Sequence, residues 1–350
     1  MRTHSTPRQP RVQLRVATAM LVAAALAVGT AGCDATKTTK DAGKSQASAA
    51  GSKDTAYPLT LSTFDFGHRK KEITVKETPK KVLVEGHNNI EIMLALGLAD
   101  KISMAAPTSA PVREDLVERW AGVKKAQAFP SKEEAIALRP DLILGWYGAF
   151  QEKKWGDVGF WHDRGINTYM SLNSYAQGPK VPQKVDFEYE DILNIGKIFD
   201  KQREAEKIVA EMKGALDQAK KAQEKQPAQQ GIAVLEATSG QFRVYGKTSL
   251  AGSIADSAGV KLAVGESDDK KQIGAEQLIE ADPEHIFMVF YGADAEASAK
   301  AVNTVLEDPA LAGLTAVKAK KVHPVALSSI YCSGLRTQDG ITTFTKALSA

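Results

Sequence analysis

Cysteine is scarce: the 350 residues contain two, Cys33 and Cys332. That excludes a disulfide-stapled scaffold and a cysteine-based zinc cluster. Histidine is scattered as His4, His68, His87, His162, His285 and His323, and no pair has the spacing of a zinc site. The chain has no phosphate-binding glycine loop, dinucleotide fingerprint, nucleophile elbow, HExxH helix or paired-carboxylate motif. An enzyme reading has no residues to attach to, and no cofactor is expected. The apolar run Val16–Val28 is too short for a comfortable membrane span. A net positive charge is also missing once the start of the chain is set aside. The whole sequence carries 45 basic and 42 acidic residues, but its first 32 hold four Arg and no acid, leaving a net charge of −1. Nothing in that balance suggests nucleic-acid binding.

What is present begins with a targeting segment. Arg2, Arg8, Arg11 and Arg15 precede Val16–Val28, and Gly29-Thr30-Ala31-Gly32-Cys33 follows. Small residues directly before a cysteine resemble the bacterial lipobox, with Thr30 standing where that pattern usually has Leu. The resemblance implies that Cys33 is lipidated and that the protein is exported, anchored at the outer face of the cytoplasmic membrane. Cys332 then lacks an intramolecular partner and reads as a small packed hydrophobe. Residues 34–56, rich in Thr, Lys, Ala, Ser and Gly, cannot bury enough surface to fold and read as a flexible tether.

The remaining chain is organised around a long amphipathic helix expected over Lys201–Gln226, with a helical lead-in at Phe187–Phe199. Ala205, Ile208, Val209, Met212, Leu216 and Ala219 form one apolar stripe, and Asp200 is expected as its N-cap. At about 1.5 Å per residue the helix would be roughly 39 Å long. On either side stands the same motif. Glu133 lies seven residues before Pro140, and Glu276 seven before Pro283; each proline precedes an apolar strand ending in Tyr-Gly, at Tyr147 and Tyr291. Ile90–Leu98 is echoed in the same way by Leu250–Val260. A hairpin over Leu59–Val75 and a strand at Pro79–Val84 open the folded part. The expected fold is α/β: two Rossmann-like α/β lobes bridged by a single long α-helix, with a ligand cleft between them. Residues 57–185 form the first lobe, 186–226 the connecting helices and 227–350 the second lobe.

Pro79–Val84, Glu91–Leu98, Glu133 with Leu138–Leu144, Ile195-Gly196 with Ala205–Val209, Glu276–Ile279 with Asp282-Pro283, and Leu314 with Lys321–Val325 together resemble a known family. They look like the substrate-binding proteins of ABC importers for ferric siderophores, haem and cobalamin. The resemblance implies two lobes bridged by a long helix, and partners comprising a membrane permease, its ATPase and an iron chelate. It also implies that Glu133 and Glu276 dock on arginines of the permease. Ligand contacts in such a fold fall on loops at the carboxyl ends of strands. That nominates His87, Asn88, Phe129, Trp146 and Tyr147 in the first lobe. In the second it nominates Arg243, Tyr245, Tyr291, Tyr331 and Arg336. Aromatic rings would cover a large, flat ligand while guanidinium groups meet its oxygens.

Adjacent in a strand end, Trp146 and Tyr147 point opposite ways, so one is expected to line the cleft and the other to pack. Arg336 is open to a structural role within its own loop, and Trp155, Phe160 and Trp161 read as lid or core. The expected function is capture and delivery of a ferric siderophore by a monomeric, lipid-anchored protein. Haem or cobalamin is the alternative ligand, and direct Zn or Mn binding through His87 a further one. An exported enzyme or adhesin on the same fold is the reading from another class.

Overall fold

The computed structural model describes residues 55–108, 110–175, 181–225, 231–265 and 272–349. The signal segment, Cys33 and all but the last two tether residues lie outside the described residues. Those two, Thr55 and Ala56, belong to the fold: Thr55 is buried and its backbone N–H donates to the Asp200 carboxylate at 2.7 Å.

The chain opens with an antiparallel hairpin of β1 (Leu59–Phe64) and β2 (Lys70–Val75). The buried Asp65 closes its turn, accepting from the backbone N–H of Arg69 at 2.9 Å and from its Nε at 2.8 Å. The first lobe then runs β3 (Val82–Val84), α1 (His87–Ala95), β4 (Ile102–Ala105), α2 (Val117–Ala121) and α3 (Lys132–Ala137). It continues with β5 (Leu142–Gly145), α4 (Val158–His162), β6 (Asn167–Met170) and α5 (Leu172–Tyr175). Two helices, α6 (Val185–Ile198) and α7 (Gln202–Gln223), lead to the second lobe. That lobe comprises β7 (Gly231–Ala237), β8 (Phe242–Val244), α8 (Leu250–Ser257), β9 (Lys261–Leu262), β10 (Gln272–Ile273) and α9 (Ala275–Ala281). β11 (His285–Phe290), α10 (Ala295–Leu306), α11 (Thr315–Lys318), β12 (Val322–Ala326) and α12 (Thr337–Leu348) complete it.

The internal echo is a structural repeat. Parallel strands lie in the order β4-β3-β5-β6 in the first lobe and β9-β7-β11-β12 in the second, which is the same order of homologous elements. Antiparallel β8 and β10 are additions of the second lobe. Both faces of each sheet are covered, so the strands read as continuous apolar runs rather than alternating ones. Val82, Val84, Leu142 and Leu144 join Ile232, Val234, Phe287 and Val289 in one core that passes through α6 and α7. Leu83 and Ile143, pointing the other way, pack with Trp155 and Trp161, which are core residues.

The connecting beam is two helices, as the expected lead-in and long helix have it, but the use made of Asp200 and of the two helices differs from the expectation. It breaks at Asp200, whose left-handed backbone (φ 57°) separates α6 from α7. Asp200 does not cap α7; that position falls to Lys201, without a side-chain hydrogen bond. The carboxylate of Asp200 is used instead on the Thr55 N–H. It is the shorter α6 that is wedged between the lobes, touching α1 and α5 on one side and α8 and the turn Gly334–Arg336 on the other. Its buried Glu188 accepts from Asn173 Nδ2 at 2.6 Å and from the backbone N–H groups of Ser333 and Gly334 at 3.1 and 2.5 Å. One carboxylate thus ties both lobes to the beam, and burial raises its pKa. The long α7 packs on α6 and α12.

Candidate ligand-binding site

The carboxyl ends of β3 and β5 set out the first-lobe half of the site. Leaving β3, the chain passes Glu85 and Gly86 directly into α1, so His87 and Asn88 occupy the first helical turn rather than the loop expected for them. Leaving β5, it presents Trp146. The indole lies against Gly86, where a Cβ would stand 2.4 Å from its Nε1, and the φ of 88° at Gly86 is one that side chains rarely adopt. Trp146 Nε1 donates to Asn88 Oδ1 at 2.6 Å, Asn88 Nδ2 to Ser171 Oγ at 3.1 Å, and Ser171 Oγ to Asn89 Oδ1 at 2.9 Å. Asn89 Nδ2 returns to the Glu85 carbonyl at 2.8 Å, and the Trp146 N–H donates to the Glu85 carboxylate at 2.7 Å. Burial raises the pKa of that carboxylate. The network fixes the ring's orientation from beneath and leaves Asn88 committed to holding it.

Trp146 is half-buried. Its ring meets His87 edge-on at 5.4 Å and, across the lobe boundary, Tyr331 at 6.0 Å. His87 is buried, and burial together with the nearby Arg336 lowers its pKa to about 4. It is hydrogen-bonded to the Ser328 backbone, while its Nε2 is buried without a partner. Among the described residues there is no group of three His, Cys, Asp or Glu that could hold a metal ion.

Other nominated residues sit elsewhere. Tyr147 stacks on Phe66 of the hairpin at 5.0 Å, nearly parallel, so of the adjacent pair Trp146 faces the other lobe and Tyr147 packs. Phe129 lies against Trp155 at 4.9 Å beneath the ammonium of Lys154. Arg336 spans the lobes: its Nε lies 3.0 Å from both Glu91 oxygens and its Nη2 2.5 Å from one of them. It also donates to the Pro111 carbonyl. The structure therefore gives Arg336 an acidic partner from α1 in place of the loop carbonyls of its own lobe.

In the second lobe Arg243, Tyr245 and Tyr291 converge on one acid that the sequence reading passed over. Glu236, near the end of β7, accepts from Tyr245 Oη at 2.7 Å, Tyr291 Oη at 2.9 Å and Arg243 Nη1 at 3.2 Å. The carboxylate raises the pKa of all three donors, with burial the larger cause for the two tyrosines. Tyr245 is buried; Tyr291 is 55 % exposed and offers a ring face to solvent. The signal that could have found Glu236 is a lone charge in an otherwise apolar strand. Glu91, the one charged residue among Ile90, Ile92, Met93 and Leu94 of α1, carries the same signal.

Three comparisons place this geometry among known proteins. The "Periplasmic binding protein" family model matches residues 83–324. An uncharacterised ABC transporter substrate-binding lipoprotein, YvrC of Bacillus subtilis (strain 168), is 27 % identical over 191 residues, 54 % of this chain and 53 % of YvrC. The chain thus spans about half the length of that relative. The petrobactin-binding protein YclQ of the same organism is 25 % identical over 285 residues, 76 % of this chain and 84 % of YclQ. The crystal structure of a periplasmic binding protein from Veillonella parvula DSM 2008 superposes with a TM-score of 0.75 at 28 % identity, over 83 % of this chain and 92 % of that one. With more than half of its length matched by one family model, and with two sheets of the same strand order joined through α6, the chain belongs to the periplasmic binding protein family.

Proposed function

We propose that this protein is the extracytoplasmic substrate-binding component of an ABC importer, and that its cargo is a ferric siderophore. The observation that carries the reading is Trp146, a half-buried indole locked by Asn88 and facing Tyr331 of the other lobe. A rigid aromatic surface between two lobes suits the organic shell of a chelate, so the protein need not ligate iron itself. The names of YvrC and YclQ, an ABC transporter substrate-binding lipoprotein and a petrobactin-binding protein, support the same reading. Membership of a family of binding proteins supports a non-enzymatic role. The charge of the site deepens it. Arg243 is paired with Glu236, Arg336 with Glu91, and His87 is neutral. The nominated residues therefore bring no uncompensated cation, which favours a chelate of little net charge, such as a ferric trihydroxamate, over a triply anionic tris-catecholate.

The test is a titration of residues 55–350 with ferrioxamine, a ferric catecholate, ferric citrate, haemin and cyanocobalamin, followed by tryptophan fluorescence. Trp155 and Trp161 are fully buried in the core, while Trp120 is partly buried under Lys125, so the Trp146→Phe variant identifies which ring the ligand quenches. Saturable sub-micromolar quenching by a ferric chelate, absent in Trp146→Phe, is the expected result. A response confined to haemin or cyanocobalamin would overturn the siderophore assignment. The lipid anchor at Cys33 is part of the proposal: Cys33→Ser should abolish palmitate labelling and release the protein from the membrane fraction.

A further inference from the structure

Among the described residues five large apolar side chains are exposed, and two of them occupy equivalent positions of the repeat. Ile136 on α3 is 40 % exposed and Ile279 on α9 is 46 % exposed. Each stands three residues after the acid already singled out, Glu133 or Glu276, and so on the same helical face. The surroundings repeat as well. Residues 133–142 and 276–285 have the same sequence of exposed and buried positions, residue for residue. Both helices begin with an N3 side chain reaching back to the N-cap N–H: Glu134 to Ser131 at 2.7 Å, and Gln277 to Gly274 at 2.8 Å. Both end in a left-handed residue before proline, Arg139 and Asp282. The repeat keeps an isoleucine in water twice, at a place where the helix's own buried residues, Ala135 and Leu278, show that an inward position was available.

We infer that Ile136 and Ile279 are the apolar anchors of the surface that docks on the permease, each seated beside its glutamate. The inference rests on the importer reading above. Two copies of one acid-plus-isoleucine patch fit a partner that offers a matching surface twice, in each case a cation beside an apolar socket. A second copy of this chain does not fit, because like patches would bring glutamate against glutamate. Nor does an anionic membrane surface. In this division the glutamates set register and association rate, and the isoleucines, desolvated at the centre of each contact, resist dissociation.

The experiment complements a deletion strain with the full chain and measures initial uptake of 55Fe from ferrioxamine, a ferric catecholate and ferric citrate. Ile136→Ser and Ile279→Ser should each lower uptake at least threefold, and the pair tenfold or more. Ile136→Met with Ile279→Met should restore it. Ligand quenching and thermal unfolding of the purified variants should match the wild type, as should uptake by Val117→Ser and Leu306→Ser, whose side chains are exposed away from the repeat. Wild-type uptake by the double serine variant overturns the proposal. So does concentration-dependent dimerisation of the wild type that the same substitutions abolish, which would assign the patch to self-association. If the wild-type chain restores uptake of none of the three chelates, the ferric-siderophore reading has failed, and haemin and cyanocobalamin uptake is measured with the same variants, where unchanged uptake by the double serine variant overturns the proposal.

Discussion

Arg336 of the second lobe and Glu91 of the first form an interlobe ion pair in which the carboxylate is wholly buried and the guanidinium nearly so. The contact lies 245 residues apart in sequence and ties the turn before α12 to the middle of α1. Arg113 adds to it: its backbone N–H donates to Glu91 at 3.0 Å, and its side chain reaches the Leu335 carbonyl at 3.3 Å and Asp339 at 3.6 Å. Together with Glu188 on α6, these contacts fasten the lobes at one end of their boundary. The expected consequence is a limited opening motion and a single cooperative unfolding of both lobes.

Removing one member of that pair strands a buried charge. Glu91→Ala or Arg336→Ala should lower the stability measured by urea unfolding by about 3–5 kcal/mol. Replacing both with apolar residues of similar size, Glu91→Leu with Arg336→Met, should be less damaging than either single change. Additive losses would show that the two side chains act through other partners.

Gly86 is the second point where a single atom matters. Alanine there must adopt a left-handed backbone at a cost of about 1–3 kcal/mol, and its Cβ would overlap the Trp146 indole. Gly86→Ala should therefore red-shift the emission of Trp146 and weaken ligand quenching, while leaving the buried Trp155 and Trp161 unaffected. An unchanged spectrum would mean that the ring is not held as described.

These residues mark what could be read from the sequence and what could not. Periodicity located both sheets, the helical repeat and the acid–proline motif, because each is a local pattern whose buried side is decided by its own residues. The break at Asp200 was legible as a boundary between two helices, but what its carboxylate does was not. An aspartate before an amphipathic stripe is the usual capping signal, and its left-handed backbone is supported by Thr55, 145 residues earlier. The start of α1 was missed for a related reason. His87, Asn88 and Asn89 look like loop residues, yet in α1 the two asparagines are satisfied by Ser171, Glu85 and Trp146 and His87 bonds the Ser328 backbone. The aromatic half of the site was visible as Trp146. Its acids, Glu236 and Glu91, gain meaning only when distant strands bring Arg243 and Arg336 beside them.

His87 gives the site a pH signature of known sign. Its pKa is about 4 in the folded protein against 6.5 for the unperturbed side chain. Between those values the unfolded chain binds a proton that the folded one refuses. The stabilisation is complete above about pH 6.5 and is lost as pH falls toward 4, by about 3 kcal/mol. The buried Glu85, Glu188 and Asp191, whose pKa values burial raises, contribute in the opposite sense. The comparison must therefore be between variants. His87→Gln, whose amide can still donate to Ser328, should lose the His87 contribution, so that wild type minus variant stability declines by that amount from pH 7 to pH 4. A flat difference would show that His87 titrates normally.

Glu236 is the residue by which ligand preference should be adjustable. Its carboxylate neutralises the half-exposed Arg243 and accepts from Tyr245 and Tyr291, so Glu236→Gln keeps an acceptor for the tyrosines while removing the negative charge. The guanidinium is then uncompensated on the second-lobe side of the site. An anionic chelate gains a Coulomb partner, whereas a neutral one does not. The ratio of ferric citrate affinity to ferrioxamine affinity, measured by quenching of Trp146, should rise about tenfold in Glu236→Gln, or ~1.4 kcal/mol. Arg243→Ala on the same background should return the ratio to the wild-type value, since the charge released by the first substitution is removed by the second. A ratio that does not move would place Glu236, Arg243 and Tyr291 outside the ligand's reach and confine recognition to Trp146 and its neighbours.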